Sequence, residues 1–69
     1  MIQSNIKKIM RAKKMTIQEL AAQTGLAVET IQRTRRDKRP DQFAACRLTT
    51  LEAIAKSLDV KIKDLFEEL

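Results

Sequence analysis

The chain of 69 residues predicts an all-α domain, and three observations carry that prediction. Apolar residues recur at helical spacing through most of the length: Ile6, Ile9 and Met10 near the start, Leu20 and Ile31 in the middle, Leu51, Ile54, Ala55 and Leu58 later. Two capping boxes, Thr16 with Glu19 and Thr49 with Glu52, mark helix starts. The single glycine, Gly25, sits where one helix must stop and the next begin. The expectation is five helices in one domain spanning residues 1–69, near the lower size limit for a chain that folds alone.

The first helix is expected over residues 2–13, with Ile2, Ile6, Ile9 and Met10 as its apolar stripe and Lys13 and Lys14 suiting its C-terminal dipole. Taken alone, this acid-free segment also has the character of a transit peptide or a membrane-surface helix; so small a core needs its apolar face for itself. Thr16 caps the second helix, Glu19 reaches back to the cap's N–H, and Met15 and Leu20 form the hydrophobic staple. Ala21 and Ala22 allow close approach of a neighbour, and Gly25 ends the helix at Thr24. After Leu26 turns inward, a third helix starts near Ala27 or Val28, with Ile31 inward and Glu29, Gln32, Arg33 and Arg36 outward. The fourth begins at Thr49 and breaks at Asp59, and Val60, Ile62, Leu65 and Phe66 cover the core from a last short helix.

Ala21, Gly25 four residues on and Ile31 six beyond that, set among Leu20 and Leu26, resemble the helix-turn-helix of the Cro and phage-repressor (Xre) family of DNA-binding proteins. The resemblance extends to Ile6 and Ile9 before the motif and to Leu48–Phe66 after it, so it covers nearly the whole chain. It implies a lambda-repressor-like domain whose helix-turn-helix occupies about residues 17–36. A transcriptional regulator follows from that resemblance, one that sets its third helix in the major groove of double-stranded DNA and binds an operator as a homodimer.

Some positions depart from the family pattern. Ile17 stands where a phosphate-binding glutamine is frequent, so that anchor is missing or passes to Gln18. Thr34 replaces a large apolar residue, which predicts a less firmly seated end for the third helix. Met10 and Arg35 replace an arginine–glutamate pair together, leaving no charge stranded. Asp37 takes the place of the usual glycine after the helix. The loop 37–48 is longer than the family's connection. Its Phe43, Ala44 and Cys46 either fold back on the core, the cysteine acting as a small apolar residue, or join the C-terminal helix in a dimer contact. Phe43, Leu65 and Leu69 are the candidates for that contact. A redox switch at Cys46, its thiol acidified by Arg47, is a more remote reading.

Charge agrees with a polyanionic partner. Fourteen basic residues against nine acidic give +5. Lys7, Lys8, Arg11, Lys13 and Lys14 precede any acid, and Arg33, Arg35, Arg36, Lys38 and Arg39 surround Asp37 alone. An isolated basic run would read as a solvated helix face; two of them flanking a helix-turn-helix read as a DNA face.

A helix in the major groove presents its first turns to base edges, which nominates Ala27, Val28, Glu29, Gln32 and Arg33. Arg33 suits guanine, Gln32 adenine, Val28 a thymine methyl and Glu29 a cytosine amino group. Glu29 serves equally well as an acid favouring the helix dipole above Ala27, a poor cap, and Gln32 as a solvated side chain. Phosphate contacts are expected from Thr16, Gln18, Arg36, Lys38 and Arg39.

Other classes fit less well. With no histidine and one cysteine there is no Cys/His cluster for a metal, no cofactor motif and no nucleophile–base pair, so an enzyme is not expected. No apolar run reaches membrane-span length and no signal-peptide core is visible, which fits a reducing cytoplasm. The alternative function is a protein-interaction module, such as the antitoxin of a toxin–antitoxin pair, favoured if Phe43 and Leu69 are exposed.

Overall fold

The computed structural model describes residues 2–36, 43 and 45–68 of the chain. Its elements in order are strand β1 (Ile2–Ser4), helices α1 (Ile6–Ala12), α2 (Ile17–Thr24), α3 (Val28–Arg35) and α4 (Leu48–Leu58), a 3-10 turn (Ile62–Leu65) and strand β2 (Phe66–Glu68). One side chain or more from each helix enters a shared core: Ile6 and Met10 from α1, Leu20 from α2, Ile31 from α3, and Leu51, Ile54, Ala55 and Leu58 from α4. Phe43 and Leu65 complete it. Met15, Ile17, Leu26, Val60, Ile62 and Phe66 pack around its edge.

Three helices end by the same local device, reached through different residues. At the end of α2, Gly25 takes φ +75° and its N–H donates to the Ala21 carbonyl at 2.9 Å. Lys14 (φ 55°) and Asp59 (φ 58°) do this without glycine. After α1, Met15 N–H reaches the Met10 carbonyl and Lys14 N–H the Arg11 carbonyl; after α4, Val60 and Asp59 reach Ala55 and Lys56 in the same pattern. Each left-handed residue turns the chain so that otherwise open helix-end carbonyls find donors.

The expectation of five helices is corrected at both ends of the chain. Residues 2–4 form a strand, and α1 begins only after Asn5. The last expected helix is a single 3-10 turn, after which Phe66 is extended at φ −151°. The two strands pair antiparallel, Ile2 opposite Glu68, Gln3 opposite Glu67 and Ser4 opposite Phe66. Asn5 N–H then donates to the Leu65 carbonyl at 2.7 Å. The physical reason is mutual satisfaction: two terminal segments too short for stable helix bond each other's backbone instead. The second expected capping box, Thr49 with Glu52, does not form. Helix α4 starts at Leu48 after Arg47, with no side-chain cap, so Thr49 lies inside the first turn.

Phe43 is 4% exposed and Leu65 0%, both within the chain's own core. Phe43 lies against Phe66, ring centroids 5.6 Å apart and planes tilted by 47°. The dimer contact assigned to these two side chains has no surface to use, because the monomer's core already holds them. Leu69, its third expected member, lies outside the described residues.

Candidate nucleic-acid interface

The turn between α2 and α3 is built from local chemistry. Thr16 Oγ1 accepts from Glu19 N–H at 3.1 Å, and Glu19 Oε1 accepts from Thr16 N–H at 3.2 Å, so the expected capping box is present. At the other end Thr24 acts twice, its hydroxyl donating to the Leu20 carbonyl at 2.8 Å and accepting from Leu26 N–H at 3.2 Å. One threonine thereby closes α2 and fixes the chain's exit from Gly25. Leu26, half-buried, packs against the core, and α3 follows, packed on α2.

Helix α3 is held by one face. Ile31 and Thr34, three residues apart, are both 0% exposed. Thr34 therefore occupies the inward site that an apolar residue was expected to fill, and the helix end is not loosely seated. Its hydroxyl donates to the Ile31 carbonyl at 2.7 Å, and its carbonyl accepts from Ser4 Oγ at 2.5 Å. The opposite face is open: Glu29, Gln32, Arg33 and Arg36 are exposed, as is Ala27 before the first turn. Val28 is half-buried, and so is Arg35. Ala27 gives no side-chain cap, which leaves Glu29 as the acid in the first turn.

Among the expected phosphate contacts, Thr16 and Gln18 are exposed at the start of α2, while Ile17 between them turns to the core. Arg36 is exposed just past α3. Lys38 and Arg39 lie outside the described residues, as do Asp37 and most of the long loop.

A groove of about 460 Å³ runs beside α3, lined by Leu26, Thr30, Arg33, Ala45, Cys46, Arg47 and Thr50. It brings Arg33 and Arg47, both exposed, to one depression. Thr30, Arg47 and Thr50 were not among the candidates from sequence. Thr30 lies on the flank of α3 rather than its outermost line, and Arg47 and Thr50 come from an element whose placement no local spacing reveals. The thiol of Cys46 is half-buried here. Burial pushes it above its ordinary value, and the Arg33 guanidinium opposes that without reversing it. The cation that opposes burial here is Arg33, and the thiol is raised rather than acidified, which counts against a redox switch.

The basic start of the chain lies close to the end of α3. Lys7, Lys8 and Arg11 border a shallow depression with Gln3, Ser4 and Asn5, and Ser4 is the residue bonded to Thr34. Helix α1, which carries Lys7, Lys8 and Arg11, packs against α3, which carries Arg33 and Arg35.

The family model for the Cro/C1-type helix-turn-helix DNA-binding domain matches residues 5–67. The chain belongs to that family. Among curated proteins none matches significantly. In this Cro/C1-type domain the helix-turn-helix is α2, the Gly25 turn and α3, and the match also takes in α1, α4 and the 3-10 turn. Among the described residues no helix is long and apolar enough to cross a membrane.

Proposed function

We propose that this Cro/C1-type domain is a sequence-specific, double-stranded DNA-binding transcriptional regulator of the small repressor kind, without enzymatic activity, that acts in the cytoplasm by occupying an operator. The observation that carries the proposal is the outward face of α3. It sets Glu29, Gln32 and Arg33 in the open on a helix that is anchored on its other side by Ile31 and Thr34. Those are donors and acceptors suited to base edges, on a helix held firmly enough to aim them. Thr16, Gln18 and Arg36, with the lysines of α1, supply phosphate contacts on either side.

The unit acts as a two-fold dimer. Its two α3 helices meet half-sites about one helical turn, roughly 34 Å, apart on one face of the duplex. A protein-interaction module is the weaker reading. Phe43, whose exposure was to favour it, is buried, and the exposed large apolar side chain among the described residues is Leu48 alone, at 67%.

The experiment is selection of bound duplexes from a random library at two salt concentrations. A palindromic motif that persists at the higher salt is the expected result. Binding that vanishes with salt and enriches no motif would refute sequence-specific regulation.

A further inference from the structure

Three α-helices among the described residues close their own C-terminal ends with a left-handed residue, at Lys14, Gly25 and Asp59. Helix α3 runs into Arg36, which is extended at φ −74° and ψ 104°. The last carbonyls of α3, like those of any helix, find no partner within the helix itself. One of them, that of Thr34, is met from a distant part of the chain. Ser4, 3% exposed and 30 residues away, donates its hydroxyl to the Thr34 carbonyl at 2.5 Å and accepts from Ile6 N–H at 3.3 Å. Ser4 is itself held in place. It is paired with Phe66 in the terminal ribbon, and its neighbour Asn5 bonds Leu65.

We propose that Ser4 is a positioning residue for DNA reading: its bond to the Thr34 carbonyl fixes the tilt of α3, and through it the placement of Arg33 and Arg36. The proposal rests on the reading of α3 as the DNA-contacting helix. Ser4 is buried and touches no DNA. It acts through the backbone of Thr34, which Arg33 precedes and Arg36 follows by two residues. At its other end α3 has no side-chain cap on Ala27. Bidentate base contacts tolerate displacements of only about 0.5 Å, so a small change in tilt weakens choice among bases before it weakens phosphate binding.

The test compares the wild-type chain with Ser4→Ala, Ser4→Cys and Ile54→Val, the last a core substitution on α4 that leaves the Ser4 bond intact. Each variant is titrated with the selected duplex and with duplexes changed at single base pairs, at a temperature where circular dichroism shows it folded. Ser4→Ala should lower the preference for the selected duplex by roughly tenfold, with Ser4→Cys, a weaker donor, in between and Ile54→Val unchanged. If Ser4→Ala does not fold, the partial loss in Ser4→Cys decides. A folded Ser4 variant that binds all duplexes uniformly less well, or keeps the wild-type preference, would overturn the positioning role while leaving DNA reading intact. A wild-type chain with no preference among duplexes would overturn DNA reading itself, and this role with it.

Discussion

The residues that were legible from sequence are those whose work is local. Gly25 is needed for its backbone: an added Cβ would meet nothing within 4 Å, yet φ is +75°. Gly25→Ala should therefore destabilise the fold by about 1 kcal/mol through backbone strain alone, as measured by urea unfolding; no loss would mean the turn adapts. Thr16→Ala removes one half of the capping box and should cost about 1 kcal/mol in the same assay. Both were visible because cap and turn chemistry acts over four residues or fewer. The bond from Ser4 to Thr34 was not visible, because a serine in an apolar-polar pattern says nothing of a carbonyl 30 residues away. Thr34 alone looked like a defect in a helix, and only the back-bond to Ile31 explains its burial. At Cys46 the raised thiol value has a definite sign. The folded chain holds its thiol proton more tightly than the unfolded one, so that contribution to stability is intact below the ordinary thiol range, about pH 8.5, and falls as pH rises through it. Unfolding of the wild type and Cys46→Ala should accordingly converge at alkaline pH.

Elements were legible in number and kind where the apolar period ran for two turns or more. Helices α2 and α3 and the body of α4 fall where the spacing puts them. The ends failed for a physical reason. Ile2 and Ile6 satisfy helical spacing as well as a strand followed by a helix does, and only the partner strand decides between them. The 3-10 turn fails similarly, since four residues cannot sustain a helix once Phe66 pairs with Ser4 and stacks on Phe43. The break at Asp59 was read correctly, and it carries a prediction. A left-handed aspartate is strained and its charge opposes the C-terminal dipole of α4, so Asp59→Gly should stabilise the chain by up to about 1 kcal/mol in thermal or urea unfolding. Destabilisation instead would assign the Asp59 side chain a bond that offsets both effects.

At the scale of the whole molecule the core is small enough for single side chains to decide the fold. A chain of this length has a total stability of roughly 3–10 kcal/mol, and truncating the fully buried Ile54 to alanine costs about 2–5 kcal/mol. Ile54→Ala should leave a partly unfolded population at 25 °C by circular dichroism; a fully native spectrum would show that the cavity collapses. The charge distribution supports a salt-dependent interface, and Arg36→Ala should reduce the slope of log K against log salt by about 1 while preserving the order of preferred duplexes. The central claim is that the outward face of α3 reads bases, and Arg33 tests it most directly. Binding of Arg33→Ala would be measured across duplexes that vary one base pair at a time around the selected motif. The account predicts a loss of about 1–3 kcal/mol of discrimination at one base pair in each half-site, with the other positions ranked as before. A uniform loss at every position, or none, would contradict it.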